Sequence, residues 1–342
     1  MRRIYNMEGE RNMRRIYNRE VLPPYAGPRT FFRAPYVEFE DLIEGMVAIV
    51  GVPWDTTAGS RPGTRYGPQA IRDASVYLHY VVTSPSSEFV DIDSGEVYRR
   101  QASDRLVDLG DLNVYPADVQ KTRQSIQDGV GAIVRSGAFP VILGGDHYIA
   151  FPAFVGFAEA MRDRDTSKIG YLQLDGHFDL HKDNPIFGPH FHGSNARLAI
   201  ESGLADPKNF VWLGIRGSVR KDQYDFIVSS GASVFSFKKV RELGVRRAME
   251  EAVACAARGV DLLYVTIDID VVDPMAAPGT GAITFGGLTP MELLEAIEVL
   301  KQSPIGAIDL VEVAPPLDPT GATERLAATA LTNFISPKIF AE

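Results

Sequence analysis

From residue 46 onwards the chain alternates between short apolar runs and longer amphipathic stretches. Eight apolar runs have the length of buried strands, at residues 46–52, 106–108, 140–143, 169–174, 210–214, 232–236, 261–267 and 306–313. Amphipathic stretches predict helices at 119–135, 245–257 and 290–300, and a further helix is expected at about 69–74. Strands that are apolar throughout and alternate with helices are typical of a parallel sheet covered on both faces. The pattern therefore predicts an α/β protein.

No break in composition interrupts this alternation, so residues 46–342 are expected to form a single catalytic domain. Residues 1–45 differ from it. The hexapeptide MRRIYN at residues 1–6 recurs at residues 13–18, which is too short to be a repeat architecture and predicts a mobile leader or an alternative start at Met13. Residues 19–45 contain four prolines with aromatic residues between them, which predicts an irregular arm, partly mobile or in contact with a neighbouring subunit.

Composition narrows the class of protein. The net charge of −9 over 342 residues argues against a nucleic-acid-binding face, which needs a basic surface. The single cysteine, Cys255, excludes an intrachain disulfide framework and a cysteine zinc cluster, and it fits a reducing, cytoplasmic setting. No apolar run reaches 18 residues, and the charged N-terminus lacks the apolar segment of a signal peptide, so neither a membrane span nor secretion is expected.

Acidic residues and histidines follow three of the predicted strands. Open parallel sheets place ligand sites beyond the carboxyl ends of their strands, so these side chains are expected to meet. Two imidazoles and four carboxylates are too many for one ion, and they fit two divalent ions that share carboxylates. Oxygen-rich ligation with one imidazole per ion suits Mn²⁺, with Ni²⁺, Co²⁺ and Fe²⁺ as alternatives, and such pairs activate water for hydrolysis. The six side chains are His147, Asp175, His177, Asp179, Asp268 and Asp270.

Three motifs resemble those of the ureohydrolase family, which includes arginase, agmatinase, guanidinobutyrase and guanidine hydrolase. Residues 144–147 (GGDH), 175–179 (DGHFD) and 266–274 (TIDIDVVDP) are similar, in the same order, to the family patterns G-G-D-H, D-A-H-x-D and S-x-D-x-D-x-x-D-P. Residues 51–55 and 61–68 resemble the agmatinase branch more than arginase. The resemblance covers most of the chain and implies an arginase-like, three-layer α/β/α fold with a mostly parallel eight-stranded sheet.

The resemblance also implies a role for each site residue. Asp179 would orient the attacking hydroxide, Glu312 would pair with the guanidinium group, and His192 would bind the substrate and protonate the departing amine. Family members usually form trimers or hexamers, so a homo-oligomer is expected. One ion would be held by His147, Asp175, Asp179 and Asp268, and the other by His177, Asp175, Asp268 and Asp270.

The chain departs from the family pattern at several positions that are expected to border the pocket. Gly176 replaces the usual alanine, and Tyr148 replaces a serine and is expected to lie close to the metal. Thr284 and Phe285 precede the Gly-Gly pair where proline is common, and the segment ending at Arg197 is also unusual. These departures predict an unusual substrate tail. The candidates are agmatine, a guanidino acid, guanidine, or an alkylated guanidine or biguanide such as metformin, while L-arginine is disfavoured.

Two other functions remain as alternatives. The chain would also suit a metal-binding partner subunit that supports a catalytic paralogue in a hetero-oligomer. A deacetylase on the related fold is disfavoured, because a neutral amide offers no cation for Glu312 to pair with.

Overall fold

The computed structural model describes residues 25–82, 105–166 and 168–339, together with residue 23 and the strand residues 89–90 and 97–98. The duplicated hexapeptide and the proposed start at Met13 lie outside these residues. In the described part of the chain, all pairs of neighbouring strands in the main sheet are parallel. The eight strands of this sheet are β1 (Val47–Gly51), β4 (Leu106–Asp111), β5 (Phe139–Leu143), β6 (Ile169–Leu174), β7 (Phe210–Leu213), β8 (Ser233–Phe235), β9 (Leu262–Asp268) and β10 (Ile305–Val311). A separate antiparallel pair consists of β2 (Phe89–Val90) and β3 (Val97–Tyr98).

The order of strands across the main sheet is β4-β1-β5-β10-β9-β6-β7-β8. The last strand of the chain, β10, therefore lies between β5 and β9 in the middle of the sheet. Its register pairs Leu310 with Leu143 on one side and with Ile267 on the other. Because the strands are parallel, the loops that follow β5, β10, β9 and β6 emerge side by side at one edge.

Nine helices in the described residues cover the two faces of the sheet. Along β1 the side chains alternate between the two faces, with Val47 and Ile49 in one hydrophobic cluster and Ala48 and Val50 in the other. Helices α1, α6, α7, α8 and α9 supply side chains to the first cluster, and α2, α3, α4 and α5 to the second. None of these helices combines the length and the apolar character that crossing a bilayer requires. They are α1 (Gly67–Val82), α2 (Val119–Arg135), α3 (Ala150–Arg162), α4 (Asn195–Glu201), α5 (Lys221–Ser230), α6 (Phe237–Leu243), α7 (Val245–Ala256), α8 (Pro290–Lys301) and α9 (Ala322–Ile339).

This arrangement confirms the predicted three-layer α/β/α fold, and it makes the main sheet fully parallel. Helix α8 begins as its sequence indicates, with Pro290 at the first helical position and a reciprocal capping box between Thr289 and Glu292. Helix α1 is longer than the short segment expected at about 69–74. Helix α3 is not evident from periodicity, because ten of its 13 residues are buried and it has no polar face.

The described part of the N-terminal arm packs on its own chain. Phe31 and Phe32 are buried, and the backbone N–H of Phe31 donates to Asp108 Oδ2 at 2.7 Å. Asp108, on β4, also receives two hydrogen bonds from the guanidinium group of Arg72 on α1, at 2.9 and 3.0 Å. Arg72 and Asp108 are both buried, so each charge depends on the other for compensation. The predicted contact of the arm with a neighbouring subunit stays a prediction.

Candidate active site

The loop after β5 carries His147 into the site. At Gly145 the backbone passes so close to Trp54 that a Cβ atom would clash with the Trp54 carbonyl oxygen, and this close approach requires glycine. Asp146 then caps a single 3-10 turn, accepting hydrogen bonds from the Tyr148 backbone N–H at 3.1 Å and the Thr57 hydroxyl at 2.7 Å. These contacts hold the His147 side chain in a fixed, fully buried position.

His147 faces three carboxylates. Its Nδ1 atom lies 3.2 Å from Asp175 Oδ2, 3.0 Å from Asp179 Oδ2 and 3.2 Å from Asp268 Oδ2. Although this nitrogen is buried, none of the described residues forms a hydrogen bond to it. Burial favours the neutral imidazole, but the surrounding carboxylates outweigh burial and raise the pKa of His147 well above its usual value. The cluster therefore strongly attracts a positive charge at this point.

The opposite side of the His147 ring fixes its tautomer. Nε2 lies 3.0 Å from the Thr266 hydroxyl, which donates its own proton to Asp309. Because a hydroxyl has one proton to donate, Thr266 must accept the proton carried by Nε2, so the lone pair of the neutral ring is on Nδ1, directed at the carboxylates. A lone pair and carboxylate oxygens that converge on one buried point fit a divalent cation and disfavour any neutral group.

A second cluster surrounds His177. Its Nδ1 lies 2.8 Å from Asp270 Oδ2 and 3.6 Å from Asp175 Oδ1, and its Nε2 lies 3.0 Å from the Thr284 hydroxyl. Burial lowers the pKa of His177, but the charges of Asp270 and Asp175 outweigh burial and raise it to about 12. Asp175 thus directs one carboxylate oxygen to each histidine, which is the arrangement that a pair of ions with a shared ligand requires.

All six predicted metal ligands come together in this region. Asp268 lies on the His147 side, because its Oδ2 faces His147 while its Oδ1 accepts the backbone N–H of Asp270 at 2.8 Å. Asp179 is held in the left-handed region, with φ of 50°, and its Oδ2 also accepts a hydrogen bond from Asn195 at 2.8 Å. Such backbone strain in a residue other than glycine is common at functional sites, where the surrounding structure enforces it.

Glu312, directly after β10, is the second strained residue, with φ of 63°. Its side chain is only 3% exposed. Oε1 accepts the backbone N–H of His147 at 2.8 Å and lies 3.1 Å from Nδ1 of His192. No hydrogen bond within the described residues is assigned to its other oxygen, Oε2, and Glu312 lines the cavity beside the metal ligands. Its position suits a carboxylate that accepts N–H groups of a bound cation.

His192 is bound on both ring nitrogens. The Gly59 backbone N–H points at Nε2 at 2.8 Å, and Nδ1 faces Glu312. These hydrogen-bond directions assign a neutral ring with its proton on Nδ1. Burial lowers the pKa of His192, but the hydrogen bond and charge of Glu312 outweigh burial and raise it to about 9. Glu312 therefore favours a second proton on the His192 ring. The Gly59 N–H opposes it, because an N–H group has no lone pair to accept a proton added at Nε2.

The two clusters open into a cavity of about 300 Å³. Its floor consists of the carboxylates, and its wall is formed by the loop after β7, the start of α5 and the loop from Gly59 to Ser60. Besides the metal ligands, Glu312 and His192, the side chains that line it include Ser60, His181, Phe191, Arg216, Ser218, Arg220 and Gln223.

The sequence was also compared with known proteins. The model of the family described as "Arginase family" matches residues 46–336, which is most of the chain. The chain belongs to the arginase family. This confirms the resemblance found in the motifs and the prediction of a ureohydrolase, a hydrolase that acts on C–N bonds of linear amidines.

Several characterised members of the arginase family are similar over nearly the whole chain. Guanidinopropionase of Pseudomonas aeruginosa is 34% identical over 322 residues, which is 92% of this chain and 92% of that protein. The mitochondrial guanidino acid hydrolase of Homo sapiens is 35% identical over 300 residues, 86% of this chain and 80% of that protein. Among solved structures, proclavaminate amidinohydrolase of Streptomyces clavuligerus superposes with a TM-score of 0.77 at 29% identity, covering 92% of this chain and 98% of that one.

Two departures from the arginase-family pattern do not border the cavity as the sequence suggested. Tyr148 is buried in the core layer of α3 and is not among the cavity-lining residues; its hydroxyl lies 3.1 Å from Nδ1 of His190. Successive side chains of a 3-10 turn point in directions about 120° apart, so Tyr148 and His147 face different sides of the turn. Arg197 pairs with Glu201 at 2.6 Å and also lies outside the cavity lining.

Two other departures lie at this arginase-family site, as the sequence suggested. Gly176 lines the cavity, and Thr284 contacts His177. His181 lines the cavity as well. Arg216 and Arg220 were not identified from the sequence at all. The available signal was the segment at residues 214–217 (GIRG), whose two glycines mark a turn directly after a strand.

Proposed function

We propose that this arginase-family enzyme hydrolyses a C–N bond of a guanidinium compound at a pair of divalent ions, releasing urea or a substituted urea and an amine. The observation that carries the proposal is the position of Asp175, with one oxygen toward His147 and the other toward His177. His147, Asp175, Asp179 and Asp268 would hold one ion, and His177, Asp175 and Asp270 the other. When bound, the ions supply Lewis-acid activation of a water molecule near neutral pH.

The carboxylate-rich ligand set favours Mn²⁺ as the native ion. Nickel, which the sequence also suggested, is not singled out by any ligand in the described clusters. Each cluster offers one imidazole and at least two carboxylates, and neither contains a thiolate.

The residues around the ions supply binding and proton transfer. Glu312 receives the planar guanidinium cation on Oε2, because Oε1 already accepts from His147 and His192. This pairing orients the central carbon toward the floor of the cavity, where Asp179 accepts a hydrogen bond from the attacking water. His192 donates the proton that the departing amine requires. To do so from Nε2, its ring must first gain a proton and release the Gly59 N–H.

The cavity wall supports a substrate with an anionic tail. Arg216 and Arg220 are the two arginines among the lining residues, and the lining contains no lysine. The Nε atom of Arg220 lies 3.0 Å from Oδ1 of Asp222, which compensates part of its charge. The four acidic residues that line the cavity belong to its floor. Positive charge at the wall favours a carboxylate and opposes the ammonium group of agmatine. An ω-guanidino acid is therefore the substrate class that we propose, in keeping with the names of the two relatives described above.

The test is urea release by the purified protein, loaded separately with Mn²⁺ and Ni²⁺. The panel contains 3-guanidinopropionate, 4-guanidinobutyrate, agmatine, L-arginine, guanidine and metformin. We expect turnover with Mn²⁺ and a preference for the guanidino acids over agmatine. A preference for agmatine or metformin would overturn the substrate class alone. No turnover of any compound by a protein that binds two ions would favour the alternative of a partner subunit.

A further inference from the structure

Arg216 lies in the loop that follows β7. It contacts three other loops of the site. Its Nη2 donates to the backbone carbonyl of Thr284 at 2.8 Å and also to that of Asp270, and its Nε donates to Thr284 at 3.2 Å. Its own backbone N–H donates to the carbonyl of Gly176 at 3.1 Å. The side chain thus links the loop after β9 to the loop before α8, and the Arg216 backbone adds a contact with the loop after β6.

The Arg216 side chain donates to two residues that also contact His177. The Thr284 hydroxyl lies 3.0 Å from Nε2 of His177, and the Asp270 carboxylate lies 2.8 Å from Nδ1. A partner on the outer nitrogen of a ligating histidine sets its tautomer and orientation. Because Arg216 fixes the main chain of both Thr284 and Asp270, it controls the position of His177 from both sides of the ring.

The His147 cluster has a separate support. Its outer nitrogen contacts Thr266, which in turn donates to Asp309. No hydrogen bond assigned to the Arg216 side chain reaches His147, Thr266 or Asp309. The outer ring nitrogens of the two histidines are therefore held by separate threonines, and disturbing Arg216 is expected to affect His177 more than His147.

Gly176 makes room for this arrangement. A Cβ atom at this position would lie 2.7 Å from Nη1 and 3.0 Å from Cζ of Arg216, and 3.0 Å from Asp270 Oδ1. The Gly176 backbone N–H also donates to Asp270 Oδ1 at 2.9 Å. The guanidinium group therefore occupies the space that a methyl group would fill, which gives a structural reason for glycine in place of the alanine usual in the motif.

We propose that Arg216 is a positioning residue that sets the affinity of the ion on the His177 side without serving the His147 side. The inference rests on the two-ion centre of the proposed function. Gly176 and Thr284 belong to the same arrangement. Gly176 leaves space for the guanidinium group of Arg216, and Thr284 connects that group to the His177 ring.

The experiment compares Arg216→Met with Arg246→Met, a matched change in an exposed arginine that pairs with Glu295 on the surface. Each protein is loaded with Mn²⁺, dialysed and analysed for metal content, and Mn²⁺ titrations give the two affinities. Loss of an outer partner is expected to weaken one of the two ions about 10- to 100-fold. Anomalous scattering from Mn²⁺-loaded crystals should lose the peak beside His177 and keep the peak beside His147, while Arg246→Met keeps both.

Thr284→Val gives a second, smaller test that does not depend on the folding of the arginine variant. It removes the hydroxyl at nearly constant volume and should also weaken the ion beside His177, whereas Thr266→Val should weaken the ion beside His147. Retention of both ions at wild-type affinity in Thr284→Val, or in a folded Arg216→Met, would overturn the proposal. If the wild-type protein itself binds no pair of ions, the proposed function fails as well, so the two failures are distinguishable.

Discussion

Glu312 and His192 share a hydrogen bond at the centre of the site, with Oε1 of the carboxylate 3.1 Å from Nδ1 of the ring. The same oxygen accepts the backbone N–H of His147 at 2.8 Å. One buried carboxylate therefore contacts both the proposed proton donor and the loop that presents a metal ligand. This leaves Oε2 for the substrate and ties the charge of Glu312 to the protonation of His192.

Replacing Glu312 with glutamine keeps an oxygen for the His147 N–H but removes the negative charge. Truncating one partner of a buried charge pair costs about 2–5 kcal/mol, so we expect kcat/KM for the guanidinium substrate to fall about 30- to 5000-fold. Urea-release kinetics and metal analysis check this. The Glu298→Gln variant, which alters a partly buried pair with Lys301, should behave as wild type. Unchanged kcat/KM in Glu312→Gln would remove Glu312 from substrate binding.

Replacing His192 with asparagine removes the proposed acid while leaving the ligand clusters intact. General acid catalysis contributes about 10²–10⁴-fold, and we expect kcat to fall within that range. Because His192 makes no hydrogen bond to a ligand side chain in the described residues, both ions should stay bound. Kinetics should be measured with substrates whose leaving amines differ in basicity. The loss should be greatest for the most basic leaving amine, and a uniform loss would argue against a role in protonation.

Metal binding should release protons. Carboxylates raise the pKa of His177 to about 12 and that of His147 well above its usual value, although burial acts in the opposite direction. At pH 7 both imidazole rings of the metal-free protein are therefore in the positively charged form. Each ion must displace one proton from the ring that it binds. Calorimetric titration with Mn²⁺ in two buffers of different ionisation enthalpy measures this release. His147→Ala should release fewer protons, and an absence of release in the wild type would contradict the assigned ligand roles.

The sign of the linked stability follows from the same pKa values. Because the folded-state pKa of His177 lies above the unfolded value of about 6.5, protonation stabilises the metal-free fold. This contribution is complete below the unfolded pKa and is lost as the pH rises through about 12. The apparent affinity for Mn²⁺ has the opposite pH dependence. It should fall as the pH is lowered, because protons compete for the same lone pairs.

Replacing Arg72 with methionine should destabilise the fold without touching the site. Arg72 is the buried partner of Asp108, and its loss leaves an uncompensated charge beneath the N-terminal arm. Breaking a buried pair costs about 3–5 kcal/mol of unfolding free energy. Arg29→Met breaks an exposed pair with Asp73 and should cost about 0–1 kcal/mol. Urea denaturation of both variants measures the difference, and equal stabilities would show that the buried pair is not a net stabilising contact.

The sequence by itself predicts much of this protein. All eight strands of the main sheet overlap apolar runs in the chain, because a strand covered on both faces is mostly apolar. The six proposed metal ligands are also readable, since they lie in short motifs whose spacing after strands is local information. Helix α3 is the counterexample, since an apolar helix without a polar face leaves no periodic signal.

Only the tertiary structure decides which distant residues meet. Glu312 lies 165 positions after His147, and the two touch because β10 inserts between β5 and β9 in the sheet. Strand order depends on how the helices pack across the sheet, and no local pattern encodes it. The same applies to Arg216, whose role follows from carbonyl groups that three other loops bring to it. Local periodicity therefore predicts the elements and local motifs predict the proposed ligands, whereas long-range packing determines how those side chains are held.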